Sequence, residues 1–387
     1  MTMDEGPVAS AHDLAAATLA IDLAALKSNY AMFQKAAAPA ACGAAVKANA
    51  YGLGMLPVAS ALWEAGCRTF FVALPGEGAE LRAHLPEAEI IVLNGLLPKT
   101  GPEYLRYGLV PALASLAEAE EYAPVARALE RRLPVALHVD TGLNRLGMPM
   151  DEAQTLARRQ DLLGAFEVTL AMSHFACADE PGHEMNERQQ ALFEDVRALF
   201  PQARASLANS PGTLAANGYA CDLVRPGIAL YGGNPFANRP NPMRPVVRLY
   251  ANILQVRTLK IGETVGYNAT WTARRPSRIA IVGAGYADGL PRALSSQPVR
   301  EDLDATAAEP ALVYVGGQLA PVAGRVSMDL IAIDVTDISP DFVRRGARAE
   351  LLGDHISVDD LARWAGTTPY EILTRLGSRF ARLYSPG

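Results

Sequence analysis

Lys47 stands at the end of a short apolar run, Cys42-Gly43-Ala44-Ala45-Val46, and just before a turn-forming stretch that reaches Tyr51, Gly52 and Gly54. The run reads as a buried strand. A lysine at such a strand end must place its amine well, because an unpaired buried ammonium is costly. Partial desolvation makes that amine lose its proton more readily, as an imine-forming lysine requires. Tyr51 can reach the same pocket from the turn. The plain alternative is a lysine that extends its stem from the strand end to water.

Other polar residues follow apolar runs in the same way. They are Asp140-Thr141-Gly142-Leu143-Asn144-Arg145, Ser173-His174, Asn209-Ser210 and Arg225-Pro226-Gly227-Ile228. Singly, His174 reads as a hydrogen-bonded core histidine and Arg225 as the partner of a carboxylate. Together they suit a phosphorylated aromatic aldehyde. Lys47 would form the imine. Ser210, Tyr51 and the backbone N–H groups near Gly227 and Ile228 would hold the phosphate, with Asn209 beside them. Glycine permits close backbone approach there. Arg225 would lie beside the ring nitrogen.

These residues need elements to bring them together. Candidate strands are 42–48, 69–74, 89–94, 109–114, 134–140, 166–175, 204–209 and 223–231. Their near-continuous apolarity suits a parallel sheet buried on both faces. Helical patterns lie between them, including 56–65, 115–132 and 184–199, and a helix over 23–36 precedes the first strand. Eight such units predict an α/β fold, a (β/α)8 TIM barrel, in which strand C-termini carry the chemistry. A doubly wound sheet is the alternative, but no G-x-G-x-x-G follows the first strand. After about residue 243 short β-rich runs dominate, at 246–272, 278–284, 311–315 and 330–335, with helices at 357–365 and 369–376. The expected organisation is an N-terminal tail over 1–16, a cofactor-binding barrel over 17–243 and a mainly antiparallel β domain over 244–387. A strand at 17–22 could pair with the β domain. Residues 295–310 read as a polar surface insertion.

The 387 residues are 50% hydrophobic and carry a formal charge of −6. No basic stripe suggests a nucleic-acid partner. No apolar run approaches the ~18 residues of a membrane span. No basic, apolar leader opens the chain. Cysteines 42, 67, 177 and 221 match neither a zinc site nor a disulfide framework. The expectation is a cytoplasmic protein with reduced thiols and no metal, acting on a small molecule.

Several motifs fall in one order: AAVKANAYGLG (44–54), DTGLNRLG (140–147), SHFACADE (173–180), LANS (207–210), LVRPGIALYG (223–232), VGYNATWTA (265–273), GAGYADGLPR (283–292) and GRVSMD (324–329). In this the chain resembles the alanine racemases, which use pyridoxal 5'-phosphate. The resemblance spans nearly the whole sequence.

The resemblance implies roles. Lys47 would hold the cofactor and act as the base for the D-enantiomer's Cα proton. Tyr267 would be the opposite base, for the L-enantiomer, contributed by the partner subunit of a homodimer. Two bases must flank Cα, because racemisation removes a proton on one face and returns it on the other. A phenol is a weak base at neutral pH, so its surroundings must activate Tyr267. Arg145 would bind the substrate carboxylate and the cofactor's phenolic oxygen. Met328 would contact that carboxylate through its backbone, and His174 would orient Arg225. An arginine, which keeps its proton, would leave the ring nitrogen unprotonated and limit side reactions. The expected activity is interconversion of L- and D-alanine, for peptidoglycan or for alanine catabolism.

Two positions depart from the family pattern. His138 stands where many members have a carbamylated lysine that supports the equivalent of Arg145. Ser378 stands where some members place a phosphate-binding tyrosine, with Tyr384 as a further candidate. The rival readings are decarboxylases of basic amino acids, a broad-specificity racemase and a non-catalytic pyridoxal-phosphate-binding regulator. DTGLNRLG and GYADG favour a racemase over the first. The absence of a visible export signal tells against the second, and the C-terminal region against the third.

Overall fold

A computed structural model of the chain describes residues 15–215, 218–296 and 309–386. Most of the expected N-terminal tail, and most of the expected insertion at 295–310, lie outside them. The chain forms two compact units. One is Leu26–Arg244; the other joins the chain up to Ala25 to the chain from Pro245.

In the first unit, β2 (Ala41–Cys42) and β3 (Ala44–Ala45) are two halves of one strand. They are followed by β4 (Thr69–Val72), β5 (Glu89–Val92), β6 (Val110–Leu113), β7 (Leu133–His138), β8 (Phe166–Met172), β9 (Arg204–Ser206) and β10 (Leu223–Val224). β3 to β9 form one parallel sheet in sequence order. β10 pairs in parallel with β2. Asp222 and Arg225 donate their N–H groups to the carbonyls of Ala205 and Ala208, which joins β10 to the β9 edge. The ring therefore closes, and a closed sheet has no exposed edges. Strands such as Thr69–Val72 and Val110–Leu113 are buried at every residue, as expected for a barrel wrapped in helices. Those helices include Leu23–Ala37, Met55–Glu64, Leu116–Ala128 and Glu184–Leu199.

Two strands are shorter than their apolar runs. Gly43 splits the first, and a Cβ there would lie 2.8 Å from the Phe71 ring. Pro226, which has no N–H to offer a ladder, follows β10 closely. The expected strand over 223–231 therefore ends at Val224, and Ile228–Tyr231 is a 3-10 turn.

The second unit is an eight-stranded, mainly antiparallel sheet. Its strands are β1 (Ala17–Asp22), β11 (Val247–Leu259), β14 (Ser277–Val282), β15 (Leu312–Val315), β16 (Gln318–Pro321), β17 (Ile331–Asp334), β18 (Arg348–Leu352) and β19 (Ala381–Ser385). The ribbon β12 (Thr264–Val265) and β13 (Trp271–Thr272) stands apart from it. β1 lies between β11 and β19, antiparallel to the first and parallel to the second. Val265, Ile279, Ala323 and Ala332 form a core against which Leu259, Trp271 and Ile281 pack.

Candidate active site

Lys47 follows β3 by two residues and opens an unusual turn. Ala48, Asn49, Ala50 and Tyr51 all have φ between 52° and 56°. L-residues resist this left-handed form by roughly 1–2 kcal/mol each. Several contacts hold it. Ala50 N–H donates to Val46 O at 2.8 Å and Gly52 N–H to Ala48 O at 2.8 Å. Asn49 Oδ1 accepts the Met55 N–H at 2.8 Å. Glu77 Oε1 accepts the Ala48 N–H at 2.6 Å. The result puts two candidate side chains, Lys47 and Tyr51, at the end of one barrel strand.

Tyr51 is buried and packs on Tyr231, with ring centroids 4.7 Å apart. A Cβ at Gly227 would lie 2.3 Å from the Tyr51 hydroxyl. Only glycine therefore fits between that hydroxyl and the backbone after β10. Ser210, also buried, accepts the Gly227 N–H at 2.9 Å through Oγ. Asn209 caps the short helix Ser210–Leu214, its Oδ1 accepting the Gly212 N–H at 3.1 Å. Ile228 begins a 3-10 turn, whose first amides have no partner within the turn. Tyr51, Ser210, Gly227 and Ile228 thus converge on a small cradle with N–H and O–H donors. Such a cradle suits a phosphate.

Arg225 is buried and forms no ion pair with a carboxylate among the described residues. It donates instead to Ser206 O at 2.8 Å, Ser206 Oγ at 2.5 Å and Ser173 O at 2.5 Å. His174 Nδ1 accepts a longer bond at 3.3 Å. Since guanidinium only donates, that nitrogen carries no proton. Burial lowers the Arg225 pKa to about 10, so the group keeps its charge at neutral pH.

Arg145 sits in a loop pinned at both ends. Met148 N–H donates to His138 O at 2.7 Å, and Asp140 N–H to Met148 O at 2.9 Å. Asp140 Oδ1 accepts the N–H groups of Gly142, Leu143 and Asn144. The Arg145 side chain is exposed.

The electrostatics favour an anion. Burial, and then the charge of Arg145, lower the Lys47 pKa, while Glu77 opposes the shift. Burial and Arg225 hold His174 well below its usual range. His138 is pushed down to about 4 by burial, Arg225 and Arg145. Its Nδ1 is buried without a hydrogen-bond partner. Lys47, Arg145 and Arg225 thus share one region with two neutral imidazoles.

Tyr267 and Met328 belong to the second unit. Tyr267 is 69% exposed, in a turn where Gly266, Asn268 and Ala269 have positive φ. Met328 is 53% exposed, and its carbonyl accepts the Ala287 N–H at 2.9 Å. Ser378 is exposed, and Tyr384 lies in β19 opposite Ile21. A cavity of about 450 Å³ is lined by Tyr267, Tyr286, Arg292, Arg325 and Arg375, among others.

Ser173 and Tyr231 fall inside sequence motifs but carry no assigned role there, and no motif includes Glu77 or Ser206. For Glu77 a signal existed: Pro75 and Glu77 after an apolar run mark a helix start. Its second oxygen accepts the Ala73 and Leu74 N–H groups there.

Comparison with known proteins places this geometry. The family described as alanine racemase, N-terminal domain, matches residues 21–235, and alanine racemase, C-terminal domain, matches residues 246–384. The chain belongs to the alanine racemase family. A relative named alanine racemase from Methylobacterium nodulans is 50% identical over 96% of each chain. One named catabolic alanine racemase, from Agrobacterium fabrum, is 42% identical over 95% of this chain and 92% of its own. The crystal structure of alanine racemase from Bartonella henselae with covalently bound pyridoxal phosphate is similar. Its TM-score is 0.89 at 38% identity, covering 96% of this chain and all of that one. The biosynthetic alanine racemase from Pseudomonas aeruginosa gives 0.86 at 36%, with the same coverage.

Proposed function

We propose that this chain interconverts L- and D-alanine on pyridoxal 5'-phosphate, as an isomerase. The observation that carries the reading is the pairing of Lys47, its pKa lowered by burial, with the Tyr51–Ser210–Gly227 cradle. The residues fit that group. The cradle accepts no Cβ at Gly227, and among the described residues no carboxylate pairs with Arg225 to consume its charge. Asn209 supports the cradle by fixing the helix that begins at Ser210.

When bound, pyridoxal phosphate supplies an electron sink that acidifies the Cα–H of an attached amino acid. Lys47 anchors the cofactor and exchanges a proton with Cα on one face. Tyr267 of the partner subunit in a homodimer exchanges it on the other. Arg225 would face the ring nitrogen and, keeping its own proton, would leave that nitrogen unprotonated, while His174 accepts from the guanidinium and orients it. Arg145 and the Met328 backbone hold the carboxylate. We place the enzyme in the cytoplasm, where its four free cysteines remain thiols. Relatives carry both biosynthetic and catabolic names, so the proposal concerns the reaction and leaves its metabolic direction open. The chain's division into a cofactor unit and a β unit that brings the second base is part of the same reading.

The test is solvent-deuterium exchange into L- and D-alanine by protein loaded with pyridoxal phosphate. Exchange into both enantiomers is expected. Visible absorbance lost on borohydride reduction, without exchange, would instead mark a cofactor-binding regulator. Serine or lysine exchanged as fast as alanine would mark broad specificity. For the shared site, Lys47→Ala mixed with Tyr267→Ala should regain activity through hybrid dimers. No recovery after confirmed subunit exchange ends that part of the reading.

A further inference from the structure

Three separate stretches of the second unit meet around Asp288. They are the turn 285–289, the segment 327–329 and the segment 375–379. Tyr286 and Ala287 donate their N–H groups to Ser327 O at 3.0 Å and Met328 O at 2.9 Å. Gly377 donates to Asp288 O at 2.9 Å. The packing is tight at the backbone. A Cβ at Gly285 would lie 2.4 Å from both the Ser327 and Met328 carbonyls, and one at Gly289 would lie 2.1 Å from Arg375 O.

Two side chains, Asp288 and Arg379, tie the three stretches together. Asp288 is 5% exposed, and its Oδ2 accepts the Gly285 N–H at 2.8 Å. Its Oδ1 lies 3.2 Å from Arg379 Nε. Arg379 Nη1 donates to Asp329 Oδ1 at 2.8 Å. The guanidinium fork therefore bridges a buried carboxylate in one motif and the carboxylate that directly follows Met328 in another. A planar fork with several donors suits such a bridge, and a lysine point charge suits it less well. Both carbonyls at 327 and 328 are committed to the turn. The Met328 N–H finds no acceptor among the described residues.

We propose that Arg379 is a positioning residue for substrate: by linking Asp288 to Asp329 it fixes the main chain around Met328, whose N–H donates to the substrate carboxylate. This rests on the reading of Met328 given above. Arg379 is itself half-exposed, and exposed ion pairs add little stability. The pair with exposed Asp329 therefore adds little, whereas leaving buried Asp288 without its guanidinium should lower the melting temperature; in addition, a slackened Met328 weakens carboxylate binding.

The experiment uses the pyridoxal-phosphate-loaded enzyme, with propionate, a carboxylate without an amine, as competitive inhibitor. In Arg379→Ala the propionate Ki and the KM for alanine should rise together, by about tenfold, as for one well-placed hydrogen bond to a charged group. kcat should change little. Arg379→Lys should restore part of the loss, and Asp329→Asn should reproduce part of it. Unchanged Ki and KM in Arg379→Ala, or a fall in kcat alone, overturns the proposal. Met328→Pro removes the N–H itself. If Met328→Pro weakens propionate and Arg379→Ala does not, only the clamp fails. If Met328→Pro leaves Ki unchanged, the role of Met328 fails and the clamp goes with it.

Discussion

The two units carry their candidate site residues in opposite ways. In the barrel unit, Tyr51, Ser210 and Arg225 are each at most 6% exposed, and each is placed by a strand end or the turn after it. In the β unit, Tyr267 and Met328 are 69% and 53% exposed and sit on turns. A buried polar group is worth its desolvation only if satisfied. The barrel therefore fixes these three inside one unit, although its Arg145 is exposed on a loop. The β unit presents side chain and backbone outward, which suits a contribution completed by another surface. On the proposed reading, one half of the chemistry is preorganised by burial. The other half depends on how well exposed turns are held.

That contrast can be broken experimentally. Lys47→Ala should remove racemisation almost entirely, by ~10²–10⁴ or more, as for loss of a positioned base. Tyr267→Phe should cost a similar factor for exchange from L-alanine and spare exchange from D-alanine. Equal losses for both enantiomers would abolish the assignment of one base to each unit. Next in size is Gly227→Ala. Overpacking costs about 1–3 kcal/mol, so apoprotein titration should show pyridoxal phosphate bound roughly tenfold to a hundredfold more weakly. Gly266→Ala, strained at φ 74° beside Tyr267, should slow turnover without changing that affinity.

The smallest effect is on stability. His138 has a folded pKa of about 4, below its usual value near 6.5. The unfolded chain therefore binds more protons between those values, and stability rises with pH across that window. Acidification from 6.5 to 4 should lose up to about 3 kcal/mol through this group. Urea unfolding of His138→Asn should show a correspondingly shallower pH dependence; identical slopes would contradict it.

Much of this was legible in the residues. Apolar runs bounded by turns placed all eight barrel strands, because buried parallel strands need continuous apolarity. The helix expected over 184–199 is Glu184–Leu199. The local geometry at the site was not legible. Nothing in Ala48 or Ala50 favours positive φ, so the left-handed turn arises from contacts such as Glu77 with the Ala48 N–H. Of the three β-rich runs over 246–272, the first, 246–259, is one strand of 13 residues, Val247–Leu259. Its length reflects three partners along its course, β1, β18 and β14, which no local pattern encodes. Arg225 read alone suggested a carboxylate partner. Its serine and carbonyl partners come from β8 and β9 and their following loops, which only barrel closure brings near.

The placement of β1 has a consequence for how the chain can be made. Asp22 is in register with Ser385, and Leu19 with both Leu249 and Arg382. β1 must wait for β19, which is translated only after the whole barrel, before its second edge is covered. The barrel, whose strands pair in order of synthesis, can close long before then. A fragment beginning at residue 245 would lack the strand that β11 and β19 share, and should recover its sheet only when residues 15–25 are supplied, for example by joining them through a linker.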